Sequence, residues 1–120
     1  MAAESRRSSR LDRRVPVAYT ILSNGRVGRA LTQNLNADGL RLLLPYTVEV
    51  DTQLEIVMEF SERPRPVKML GRVVWKRWRA APSGSGASDA SEVGVRFMKI
   101  SDDDRAFLIR YLKALEKENV

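Results

Sequence analysis

Two short stretches of the 120-residue chain bring together side chains that can do chemistry. The first, Arg10-Leu11-Asp12-Arg13-Arg14, sets two arginines four residues apart with a third beside them. A guanidinium fork can bind phosphate bidentately, grip guanine through O6 and N7, or stack on a base. The second, Asn34-Leu35-Asn36-Ala37-Asp38-Gly39, places two amides, a carboxylate and a glycine between two runs that read as strands. An amide at a strand end can meet a base edge, and glycine lets the backbone turn or approach a ligand closely. Each stretch also has a plainer reading: a solvated basic tail for the arginines, a tight reversal at Asp38 and Gly39 for the other. Taken together they suggest recognition of a guanine nucleotide carrying phosphates.

Little else in the chain offers chemistry. It contains neither cysteine nor histidine. That removes disulfides, thiolate metal sites and the commonest metal ligand and general base. Asp102, Asp103 and Asp104 are explained by the positive end of a helix dipole, and Glu55 and Glu59 by a solvated strand face. "GSG" at Gly84–Gly86 lacks the lysine and helix of a phosphate loop. The expectation is a protein that is not an enzyme and that needs no metal or cofactor. Trp75 shares the inward face with Val73 and reads as core. Trp78 points the other way, among Lys76, Arg77 and Arg79. It could stack on a base or dock a partner, or be packed under the helix or the loop that follows.

Net charge is +6, from 21 basic and 15 acidic residues. Half of the excess lies in the first fourteen positions, where five arginines face Glu4 and Asp12. The start "MAAESRRSSR" has no apolar core region, so no signal peptide is expected, and no run is long enough for a membrane span. These features read as a reduced, cytoplasmic protein. With acidic residues spread through the chain, a small barrel that binds single-stranded nucleic acid ranks below other readings.

The elements that must position these residues follow from periodicity. Residues 1–14 are polar and Arg/Ser-rich, and read as flexible when free. Val15, Val17, Tyr19 and Ile21 alternate onto one face of a first strand, with Pro16 at its start or on an edge. "SNG" at Ser23–Gly25 signals a hairpin. "RVGRALTQNL" reads as a second strand ending at the asparagines, with Val27, Arg29, Leu31, Gln33 and Leu35 on one side and Gly28, Ala30, Thr32 and Asn34 on the other. "GLRLLL" is a third strand, and Leu54, Ile56, Met58 and Phe60 point inward from a fourth. "VKMLGRVVWKRW" is a long fifth, Ala81–Ser91 a Gly/Ser-rich loop, and Val93, Val95 and Phe97 share a face of the sixth. Ser101 and Asp104 then form a capping-box-like start to an amphipathic helix of about fifteen residues, with Phe107, Leu108, Tyr111, Leu112 and Leu115 on one face. Hairpin-linked strands and one helix predict a mainly β fold: a six-stranded antiparallel β-barrel with a C-terminal amphipathic α-helix.

With that layout, the chain resembles the PilZ domain, the bacterial receptor module for cyclic di-GMP. That family carries RxxxR before the first barrel strand, here Arg10 to Arg14, and [D/N]xSxxG after the second, here Asn34 to Gly39. "GRVVW", "VGVRF" and "SDDDRAFLIRYL" are also similar to the family, so the resemblance covers about residues 10–115. It implies a basic arm over residues 1–9 and a single domain over 10–120. It implies cyclic di-GMP, often as an intercalated dimer, on the outside of the barrel. Arg10 and Arg14 would contact phosphates and the guanine Hoogsteen edge, with Arg13 as a helper. Asn34 would meet a guanine edge, Asn36 would stand in the serine position, and Gly39 would fix the turn. The arm would order over the ligand and signal to a downstream protein partner. The chain departs from the pattern at Asn36, where serine is usual. A protein-interaction adaptor with a weakened or lost nucleotide site is therefore the alternative.

Overall fold

A computed structural model describes residues 14–79 and 90–118. Arg10, Arg13, the arm and most of the Gly/Ser-rich loop lie outside the described residues. Six strands and one helix follow in order: β1 (Pro16–Ile21), β2 (Val27–Leu31), β3 (Gly39–Leu44), β4 (Gln53–Met58), β5 (Val67–Arg79), β6 (Ala90–Ile100) and α1 (Asp102–Glu118). Ala90 and Ser91, expected in the loop, are the first residues of β6. All pairings are antiparallel, in the order β2-β1-β4-β5-β6-β3. The sheet curls into a half-barrel until its edge strands meet. Thr32 bridges Leu42 there, and the Gln33 N–H donates to the Arg41 carbonyl at 2.8 Å.

Period-2 alternation explains the core. Val17, Leu42, Leu44, Leu54, Ile56, Met58, Val67, Val73 and Val93 all point inward and are at most 2 % exposed. Each such burial is worth about 2 kcal/mol. Along β2 and just past its end the inward side is the small one, Gly28, Ala30 and Thr32, while Val27 is exposed. The reason is Tyr19, whose ring lies where a β-carbon on Gly28 would be. The Tyr19 hydroxyl meets that of Tyr46 at 2.5 Å. Burial first, and then this hydrogen bond, hold the Tyr19 phenol well above its ordinary range. The hairpin between β1 and β2 turns at Gly25, with φ of 72°.

β5 breaks its own alternation. Its register against β6 shifts between Val73 and Trp75, so that Val73 opposes Val95 and Trp75 opposes Gly94. Val74 is the extra residue of a bulge and is exposed. The turn before β4 holds the bulge, since Asp51 N–H donates to the Val73 carbonyl (2.8 Å) and Val73 N–H to the Thr52 carbonyl (2.9 Å). Gly94 lies between inward Val93 and Val95, so its partner Trp75 faces outward. The expectation that Trp75 belongs to the core is thereby corrected.

α1 spans 17 residues. The Asp104 N–H donates to Ser101 Oγ at 3.1 Å, the cap expected from the sequence. Leu108, Tyr111 and Leu115 enter the core, and the rings of Phe107 and Tyr111 pack edge-on against Phe60 at 5.0 and 4.6 Å. The acidic start does more than complement a dipole. The Asp104 carboxylate accepts the Lys68 N–H (3.1 Å) and pairs with Arg63 Nη2 (2.8 Å). Burial would raise its pKa, but these donors outweigh it and hold the carboxyl below its ordinary value.

Candidate functional site

β2 ends at Leu31, before the asparagines, so Asn34 and Asn36 stand in the link to β3 rather than at a strand end. Asn36 organises that link. Its N–H donates to the Gly39 carbonyl (2.9 Å), and its Oδ1 accepts the N–H groups of Asp38 (2.8 Å) and Gly39 (3.0 Å). An Asx turn of this kind needs a short side chain with an acceptor oxygen, which serine also supplies. Asn36 can therefore replace serine as the turn's anchor. Gly39 is required by proximity, not by a left-handed φ. A β-carbon there would run into the carbonyl oxygen of Val95.

This link forms the rim of an open groove of about 600 Å³ on the outer face of β3, β6 and β5. Register sets its floor. Arg41 of β3, Gly94 of β6 and Trp75 of β5 lie in one row across three strands, and Gly39, Arg96 and Arg72 in the next. A β-carbon on Gly94 would occupy the Trp75 indole, so glycine lets that ring lie against β6. Asn34, Asn36 and Gly39 thus share one groove with Arg41, Trp75 and Arg96. Two amides, two guanidiniums and an aromatic ring offer base-edge hydrogen bonds, anion contacts and a stacking face. Sequence reasoning missed Arg41, Arg96 and Trp75. The sequence held their only signal in "VGV", where a glycine between two inward valines leaves room for a ring from the neighbouring strand.

Arg14 is exposed and lines a separate, smaller cavity with Glu59, Glu62 and Tyr111. The backbone beside it is nevertheless tied close to the motif link. Val15 N–H donates to Thr32 Oγ1, and Thr32 N–H to the Val15 carbonyl, both at 3.0 Å. Trp78 is 64 % exposed, which goes against packing under the helix. A cavity of about 610 Å³ at the start of α1 is rimmed by Asp102, Asp103 and Asp104. Two of those carboxylates are engaged by Arg63 and Arg65. Among the described residues no cluster of acidic side chains could hold a metal ion, and no helix is long and apolar enough to cross a membrane.

A curled antiparallel half-barrel with a polar link beside a cationic, aromatic-floored outer groove defines a ligand-binding module. The PilZ domain family model matches residues 4–114, and the chain belongs to that family. PilZ domains are non-enzymatic receptors for cyclic di-GMP. Among solved structures, the chain is similar to the Bacillus subtilis inhibitor of motility MotI/DgrA, at TM-score 0.69 and 16% identity over 89% of this chain and 49% of that one. It is also similar to the PilZ domain with c-di-GMP of YcgR from Escherichia coli (TM-score 0.63, 17% identity, 88% and 83% covered). A third is MrkH of K. pneumonia in its apo state (0.71, 13%, 88% and 48%). The chain spans about half the length of MotI/DgrA and of MrkH. A search of curated proteins found no match.

Proposed function

We propose that the protein is a cyclic di-GMP receptor whose ligand occupies the groove beside Asn34, Asn36 and Gly39. The observation that carries this reading is the convergence of the motif link with Arg41, Trp75 and Arg96 in one outward groove. In this reading Asn34 meets a guanine edge, Arg41 and Arg96 face phosphate, and the Trp75 indole stacks on a base. Arg10, Arg13 and Arg14 close over the ligand from the N-terminal side. The arm is rooted at Val15, which is hydrogen-bonded to Thr32, two residues before Asn34 in sequence. The five residues from Val15 back to Arg10 reach at most about 18 Å when extended. Ordering that arm costs entropy, so affinity depends steeply on its arginines. We place residues 1–9 outside the folded unit and 10–120 within it. The protein acts in the cytoplasm and passes the ordered state to a protein partner.

The adaptor reading rested on Asn36, but Asn36 anchors the turn with its side-chain oxygen as serine would. This supports the receptor reading over the adaptor one. The test is calorimetric titration of cyclic di-GMP into the full chain and into Arg10→Ala and Arg14→Ala. Saturable binding, weakened at least tenfold by each substitution, is expected. Binding that survives both would sink the assigned role of the arm, and no heat up to millimolar ligand would return the adaptor reading.

A further inference from the structure

Beside the groove lies a cluster that neither motif contains. Glu92 of β6 is 6 % exposed, on the outer face of the sheet, in register with Leu43 of β3 and Arg77 of β5. Three arginines converge on its carboxylate. Arg79 donates through Nε (3.2 Å) and Nη2 (2.8 Å), Arg41 Nη1 lies at 3.4 Å, and Arg77 Nη1 at 3.7 Å. One acid therefore serves three cations. One of these lines the groove, Arg41, and the Arg77 guanidinium sits 5.7 Å from the ring centroid of Trp75, which also lines it. Arg41 is only partly satisfied, since its buried Nε has no hydrogen-bond partner.

A screened carboxylate at 3.4 Å from Arg41 is in direct competition with any anion that approaches Arg41 from the groove. We infer that Glu92 is an affinity-setting residue: an internal counter-anion that holds Arg41 back from phosphate. This rests on the nucleotide reading above. Arg79 modulates the competition without lining the groove, because it engages the carboxylate most closely and so weakens its hold on Arg41. Replacing Glu92 by glutamine keeps the shape and an acceptor oxygen but removes the competing charge. Deleting Arg79 leaves more of the carboxylate to Arg41. The two changes should therefore act in opposite directions.

The experiment titrates cyclic di-GMP by calorimetry into the full chain, E92Q, R79Q, R41A and the double variant R41A/E92Q, with thermal unfolding of each as a check of folding. E92Q should bind about fivefold more tightly than wild type, and R79Q about threefold more weakly. The E92Q gain should vanish in the Arg41→Ala background, which separates competition at Arg41 from a general change of charge. An equal gain in that background overturns the inference, as does a folded E92Q of unchanged or weaker affinity. If E92Q does not fold, R79Q and R79Q/R41A carry the same cycle with the opposite sign, and an R79Q that binds as wild type overturns it. Failure of every chain to bind overturns the nucleotide reading and the inference together. Binding by wild type with no coupling between Glu92 and Arg41 overturns the inference alone.

Discussion

Asn36 is the residue whose meaning changed most between sequence and structure. As a departure from the family pattern it suggested a weakened site, yet its Oδ1 collects two backbone N–H groups and shapes the rim of the groove. Asn36→Ala should lose those bonds, cost about 1 kcal/mol in chemical denaturation and loosen ligand binding. Asn36→Ser should restore most of both, and an alanine variant as stable as wild type would contradict the turn role. Gly39 is a stricter case. A β-carbon meets backbone rather than a flexible side chain, so Gly39→Ala should destabilise by about 2 kcal/mol and displace β3 from β6. An unchanged melting temperature would show that the strands can part at no cost. The two motifs were legible because their residue types are chemically distinctive. Arg41 and Arg96 were not, because an arginine on a strand looks the same whether it faces a groove or bulk water.

At the scale of elements, the strands with strict alternation were read correctly, and the errors fall where tertiary contacts override period. The bulge at Val74 is held by the Asp51–Thr52 turn, some twenty residues away in sequence, and it turns Trp75 from inside to outside. For β2 the alternation separated the two faces without saying which is inward; the ring of Tyr19 fills the inward space, so the small face points in and Val27 points out. The partner that holds the bulge lies outside any local window, and that of Gly28 lies across the hairpin. The anchor of α1 behaves likewise. Its capping box was legible, but the tie from Asp104 to Arg63 and Lys68 was not. Because the folded carboxyl has a lowered pKa, its contribution is full above the unfolded value near 3.9 and is lost as pH falls through the folded one. Asp104→Ala should therefore cost about 3 kcal/mol at pH 7, and urea unfolding should show the gap from wild type narrowing below pH 4. A gap independent of pH would place the effect in packing rather than charge.

The whole molecule presents a half-barrel whose interior is a single apolar core and whose outer face on β3, β6 and β5 carries Arg41, Arg96 and Trp75. Fold class was legible at this scale from six alternating runs and one amphipathic helix. The site was only half legible, since its floor is assembled by register across three strands. A ligand that binds only the folded chain at a hundredfold its Kd should add about 2.7 kcal/mol to stability. The central claim is that cyclic di-GMP lies against Trp75, and the chain's two tryptophans make it measurable. In Trp78→Phe, with excitation at the red edge where tyrosine does not absorb, only Trp75 emits. Titrating cyclic di-GMP into that variant should change its emission saturably, with the same midpoint as calorimetry. Calorimetric binding that leaves the Trp75 emission unaltered would contradict the account.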